Sequence, residues 1–226
     1  MPPLVSVLMP VYDRESYLAE AIESLLAQSY QPLEIVVVDD GSTDASAAIA
    51  QRYAEVRYAY QPHGGIAVAR NHCLELARGA YLAFLDSDDL WEPGALTRQM
   101  EVLIATPDLD MLFGHVVEFL SPELDPQMAA QLRPHPEPMQ SRGPGAIIRA
   151  ELFQRVGPFR TEWRLGEFID WHARATELGA TSRVLPDVVA RRRVHHANQS
   201  VAQPDSRADY LRILKASLDR RRNDQR

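Results

Sequence analysis

At 226 residues with 46% hydrophobic content, the chain carries enough apolar material for one substantial domain with a real core. Its formal net charge of −7 argues against a general nucleic-acid binder, and its single cysteine, Cys73, excludes an intrachain disulfide and favours a reducing, cytoplasmic setting. No apolar run approaches the ~20 residues needed to span a bilayer, and the N-terminus lacks the charged and apolar regions of a secretion signal.

Taken in chain order, LVSVLM (4–9), LEIVVVD (33–39), VRYAY (56–60) and AYLAFLD (80–86) read as short strands rich in branched and aromatic residues. Helical patterns separate them. ESYLAEAIESLLAQ sets Leu18, Ile22, Leu25 and Leu26 on one face, DASAAIAQRYA follows a Thr43-Asp44 pair suited to a helix start, and GIAVARNHCLELA ends at Gly79. Strand alternating with helix implies parallel strands, right-handed crossovers and ligands at the carboxyl ends of the strands. The first strand leads into PVYDR, the second into DDGSTD and the fourth into DSDD, so polar groups from three segments are expected on one rim.

In the second half, MLFGHVVEFL (111–120) reads as a strand, and the proline- and glycine-rich stretch 121–145 reads as a surface insertion or a substrate-covering loop. Helices are expected at RAELFQRV and from EFIDWHARATEL, and a strand at DVVARRRVH. The last segment, DYLRILKASLDRRRNDQR, is locally basic. It reads as a solvated amphipathic helix, with a membrane-surface or partner-binding role as the alternative.

The run Asp86-Ser87-Asp88-Asp89 places three carboxylates in four positions, which repulsion disfavours unless water, protons or a cation compensate. A strand ending at Asp86 and Asp88 offers hard oxygen ligands suited to Mg²⁺ or Mn²⁺. The alternative is that Asp88 and Asp89 only complement the dipole of the following helix.

VSVLMPVYDRESYLAEAIESLLAQSYQPLEIVVVDDGSTD, then GGIAVARN, GAYLAFLDSDDLW, GAIIRAELFQRVGPF and RVHHANQS, resemble glycosyltransferase family 2, inverting enzymes of the GT-A fold that use nucleotide sugars. The resemblance implies a Rossmann-like α/β domain, a mixed sheet flanked by helices. A nucleotide-sugar-binding half would occupy 1–105, an acceptor and catalytic half 106–205, and a C-terminal helix 206–226. It further implies a metal-dependent transferase drawing on a nucleoside diphosphate sugar, UDP ahead of GDP or dTDP. A non-catalytic nucleotide-sugar-binding module or partner subunit is the alternative.

By the same resemblance, the backbone at Pro10 and Val11 and the Tyr12 side chain frame the nucleotide base, and Asp40 reads its hydrogen-bonding edge. Gly65 lies close to the nucleotide, Arg70 near the phosphates, and Asp86, Ser87 and Asp88 at the sugar diphosphate. Asp86, Asp88 and His195 are the implied metal ligands, with Asn198, Ser200 and Arg191–Arg193 nearby. Read as residues alone, Asp39–Asp44 also suits a turn and helix cap, and Arg70 suits a structural ion pair. Asp13 and His63 stand where relatives commonly have asparagine. Phe168 stands where the family commonly has its aspartate base, which leaves Glu167 as the first candidate base and Asp170 as the second. The alternative pairs Asp170 with Arg174 at i,i+4 and sets Glu167 at the helix N-terminus. Trp171 suits an acceptor pocket or the core. The acceptor stays open among saccharides, lipid-linked sugars, small molecules and peptides, and a homodimer is a further expectation.

Overall fold

β1 (Val5–Val11) is buried along its whole length, which is why VSVLMPV reads as a continuous apolar run rather than an alternating one. The computed structural model describes residues 1–141, 143–198 and 208–224. β1 pairs in parallel with β2 (Leu33–Asp39) on one side and β4 (Tyr81–Phe84) on the other, and β2 pairs with β3 (Val56–Tyr60). The crossovers carry α1 (Leu18–Leu26), α2 (Ser46–Ala50) and α3 (Ile66–Leu76). α1 buries Leu18, Ala21, Ile22 and Leu25, while Leu26, expected on that face, stays 37% exposed because it sits one step past the stripe.

Two local expectations change for tertiary reasons. α2 starts after Ala45 with no side-chain cap, because Asp44 instead accepts the N–H groups of Glu15 and Ser46. Gly79 does not cap α3. A Cβ there would meet the Ser6 backbone nitrogen at 2.6 Å, so glycine is required by the close approach to β1.

Beyond β4 the sheet becomes mixed. β8 (Ile147–Arg149) pairs antiparallel with β4 and with β6 (Met111–Leu120), which pairs in parallel with β9 (Ser182–Val194); β5 (Leu90–Trp91) closes the edge antiparallel to β9. β9 starts earlier than its sequence pattern suggests. Its register against β6 slips between Phe113 and His115, opposite the stretch that holds Pro186, which has no N–H to give the ladder. The 121–145 stretch carries α5 (Pro126–Gln131), capped by Asp125, and β7 (Met139–Gln140), which pairs with β6.

α4 (Ala95–Ala105) and α1 cover one face of the sheet over Val5, Val7 and Met9. α3, α6 (Ala150–Val156) and α7 (Glu167–Glu177) cover the other, over Leu8 and Phe84. α8 (Ala208–Asp224) lies along α7. Among the described residues, no helix is long and apolar enough to cross a membrane.

Candidate active site

The carboxyl ends of β1, β2 and β4 open onto a cleft of ≈ 1130 Å³. The convergence expected from strand alternation is present: Pro10 to Arg14, Asp40 and Asp86 to Asp89 all line it.

Each carboxylate after β4 has its own compensation. Asp86 Oδ1 accepts from Arg70 Nη2 at 2.6 Å, and Asp88 Oδ2 accepts from Arg14 Nε at 3.1 Å while facing His195 Nε2 at 3.0 Å. Burial alone would raise the Asp88 pKa, but His195 and Arg14 outweigh it and hold the carboxyl below its ordinary range. Asp89 is buried and accepts only the backbone N–H of Arg193 among the described residues, at 2.9 Å. Burial, then the charges of Asp88 and Asp86, push its pKa well above the ordinary value. The cluster therefore divides into two carboxylates matched by cations and one that favours a proton.

Arg70 faces inward from α3 and is buried, with Nη2 on Asp86 and Nη1 on Glu167. It acts as the ion-pair partner anticipated as the alternative to phosphate contact, and it ties the end of β4 to the head of α7. Glu167 is the first residue of α7, after Gly166 at φ 85°, and it lines the cleft. Asp170, the second candidate base, is corrected: it is fully buried and does not line the cleft. Arg174 Nε reaches its Oδ2 at 2.9 Å, Arg160 Nε lies at 3.9 Å, and Arg220 Nη1 stands 3.6 Å from Oδ1. Its work is to join α7 to α8. Phe168 meets Phe84 edge-on at 5.2 Å, and Trp171 is a core residue that stacks on Phe153 and donates Nε1–H to the Gly157 carbonyl.

At the other end of the cleft, the Tyr12 ring stacks on His63 with centroids 4.1 Å apart. Asp40 Oδ1 accepts from Gln61 Nε2 and from the Gly64 N–H. Its Oδ2 accepts the Gly65 N–H at 2.8 Å and lies 2.9 Å from His63 Nδ1. Both oxygens are thus engaged by the 61–65 loop, so Asp40 builds this wall and offers no open carboxylate edge to a base in this arrangement. Asp13, at φ 48°, uses its tolerance of left-handed backbone to accept the Thr43 N–H, lacing the β1 and β2 ends together.

His195 is buried, with its ring 4.5 Å from Tyr17 and its backbone N–H donated to Asn198 Oδ1. Ser200 lies outside the described residues. Strand alternation separates the arginines as expected: Arg191 and Arg193 flank the Phe119 ring, and Arg192 turns to Glu118 and the cleft. Among the described residues, no group of three or more His, Cys, Asp or Glu side chains converges as a metal site. Asp86 and Asp88 line the cleft, whereas the implied third ligand, His195, is fully buried outside that lining and its ring meets it through Asp88, with Nε2 3.0 Å from Asp88 Oδ2. That donor set suits a divalent ion completed by water and phosphate oxygens.

Sequence reasoning did not single out Arg14, Trp163 or Tyr210, which also line the cleft. Arg14 had a usable signal, a cation at the end of strand one facing the strand-four carboxylates. Trp163 and Tyr210 had none, since a loop and a distant helix bring them in.

The fold is that of GT-A glycosyltransferases. The structure superposes on S. aureus TarS (residues 1–349, with UDP) with a TM-score of 0.72 at 23% identity, over 94% of this chain and 64% of that one. It superposes on the mannosyltransferase PcManGT of Pyrobaculum calidifontis, solved with GDP-Man and Mn²⁺, with a TM-score of 0.72 at 25% identity, over 97% and 65%. Glycosyl transferase family 2 matches residues 6–156, and the chain belongs to this family. Among relatives in sequence, the putative teichuronic acid biosynthesis glycosyltransferase TuaG of Bacillus subtilis is 42% identical over 107 residues, 45% of this chain. The putative glycosyltransferase EpsH of the same organism is 37% identical over 121 residues, 52% of this chain. The matched stretches span 42% and 35% of those two relatives.

Proposed function

We propose that the protein transfers a sugar from a UDP-sugar to an acceptor with inversion at the anomeric carbon, assisted by Mn²⁺ or Mg²⁺. The observation that carries this reading is the meeting of Asp88, His195 and Arg14 at the end of β4, under the cleft. The neighbouring structures support the donor class, since TarS has been solved with UDP and UDP-GlcNAc and PcManGT with GDP-Man and Mn²⁺.

Asp88 and His195, with Asp86, would hold the metal, whose chemistry there is to neutralise the diphosphate leaving group. Arg14 adds a fixed positive charge beside Asp88. The exposed Tyr12 ring and the loop that Asp40 organises form the surface for the base. Glu167 is the base: its carboxylate accepts the acceptor hydroxyl proton as that oxygen bonds to the anomeric carbon. The bond to the diphosphate oxygen breaks with its electron pair, and attack from the opposite face inverts the configuration. Arg70 fixes Glu167 relative to Asp86, so the proton acceptor and the phosphate end of the site keep one spacing.

The test is calorimetric titration of UDP, GDP, dTDP and their sugar conjugates, with Mn²⁺, Mg²⁺ or chelator, into the parent protein and Asp88→Ala. UDP binding that requires metal and disappears in Asp88→Ala is expected. Glu167→Gln should bind donor normally and lose roughly 10²–10⁴ in turnover. Binding indifferent to chelator and to Asp88→Ala would overturn the metal assignment, a preference for GDP the donor, and full turnover by Glu167→Gln the base.

A further inference from the structure

α8 packs on α7 with one side only. Tyr210 and Ile213 close over Gly166 at the head of α7, where a Cβ would meet both at 2.9 Å. At the other end, Ser217 Oγ and Arg220 Nε donate to Glu177 at 2.7 and 2.6 Å. Asp209, Ile213 and Ser217 are buried in that contact. The outer side leaves three leucines exposed within eight residues, Leu211 at 73%, Leu214 at 58% and Leu218 at 45%, with Tyr210, 40% exposed, at the edge between the two sides. The spacing 211, 214, 218 puts the three leucines on one stripe. Single exposed leucines are ordinary, whereas an aligned set rimmed by charge is not.

The rim is basic. By helix geometry, exposed Lys215 and Arg222 border the stripe on one side and Arg221, whose Nε also stands 3.8 Å from Glu177 Oε1, on the other, with Asp219 the acidic exception beyond Lys215. We propose that α8 docks the protein on an anionic lipid surface, its leucines entering the headgroup boundary and Lys215, Arg221 and Arg222 meeting the phosphates. The chain as a whole carries a net charge of −7, so attraction to such a surface is a property of this helix and not of the molecule. A second copy is the less suitable occupant. A two-fold pairing centred on the stripe would bring Lys215, which lies midway along it, toward its own counterpart. Tyr210, partly exposed at the edge of the stripe, also lines the cleft, so docking sets the cleft mouth near the lipid and favours an acceptor presented on a lipid anchor. That last step rests on the transferase reading above; the docking itself does not.

The experiment is co-sedimentation of the full chain with phosphatidylcholine vesicles, with and without phosphatidylglycerol, at low and physiological salt and without nucleotide. Binding to the phosphatidylglycerol vesicles alone is expected, weakening with salt. Leu211→Glu with Leu214→Glu should weaken it about tenfold or more, and so should Lys215→Glu with Arg222→Glu. If the first pair lowers the melting temperature, Leu214→Ser with Leu218→Ser repeats the test without adding charge. No binding by the parent overturns the proposal. So does binding unchanged by either leucine pair, and so does a dimer that the leucine variants convert to monomer in the absence of vesicle binding. Nucleotide calorimetry on the same samples reports separately on the donor site.

Discussion

Replacing Arg70 by methionine keeps a long unbranched side chain in α3 and removes the cation that Asp86 and Glu167 share. Glu167 is 5% exposed, so it would be left as an uncompensated buried charge, a change that costs ~3–5 kcal/mol when one partner of a buried pair is removed. The Asp86 side chain is 36% exposed, and water screens most of its share, which is reduced to under ~1 kcal/mol. The expected loss at pH 7 is therefore ~3–5 kcal/mol, a fall of ~6–20 °C in Tm for a domain of this size. Arg70→Lys keeps the charge but offers one nitrogen to two carboxylates, and should recover part of the loss. Urea denaturation followed by tryptophan fluorescence measures both. An Arg70→Met variant within ~0.5 kcal/mol of the parent, the range of a neutral surface change, would refute the bridge and return Arg70 to the cleft as a ligand contact.

Asp89 has a folded pKa above its unfolded value, so its stabilising contribution is complete below ~pH 3.9 and is lost as pH rises through the folded value. Asp89→Asn, which can still accept the Arg193 N–H, should gain on the parent as pH is raised from ~4 to ~8, and a pH-independent difference in unfolding free energy would contradict this. Asp88 has the opposite sign. Its depressed pKa stabilises the fold above ~pH 3.9 and ceases to do so in acid, so the penalty of Asp88→Asn should shrink as pH falls through the folded value. Cys73 is buried, and desolvation pushes its thiol up to about 12, so Ellman's reagent at pH 8 should label it only after urea is added; rapid native labelling would show an opening at α3. Trp171→Ala should cost ~3–5 kcal/mol by leaving a cavity among Phe153, Phe159 and Phe168, and Trp171→Phe clearly less; equal losses would point to the Gly157 hydrogen bond as the main contribution.

β2, β3 and β6 fall where the sequence patterns predict them, because strands buried on both faces or alternating regularly announce themselves locally. The gathering of three strand ends on one rim was legible for the same reason. β5 is two residues long and exists only because β9 comes to pair with it, so no local pattern could reveal it. Asp170 illustrates the same limit for the site. The i,i+4 relation to Arg174 is visible in the sequence, but Arg160 and Arg220, which complete its surroundings, arrive from a loop and from α8. Glu167 and Asp170 look equivalent as carboxylates on one helix, yet a single turn separates a cleft wall from a fully enclosed position. Asp40 likewise owes its saturation to backbone N–H groups 24 and 25 residues away.

The seat of Arg193 opposite Asp89 bears on how the chain folds. The carboxylates after β4 are synthesised roughly a hundred residues before their compensating groups, since Asp89 and Arg193 are 104 apart and Asp88 and His195 107 apart. Until β9 is laid between β6 and β5, three negative charges stand at the end of a nascent strand with only Arg14 and Arg70 to answer them. Such distant closure is slow, because loop entropy is lost before the contact rewards it. The residues matched by the family profile end at 156, before β9 begins, so a fragment cut at that boundary should collapse around β1 yet remain expanded at the cleft. The rim at these strand ends is thus expected to be the last part of the sheet to become stable, and the first that a truncated or stalled chain would expose.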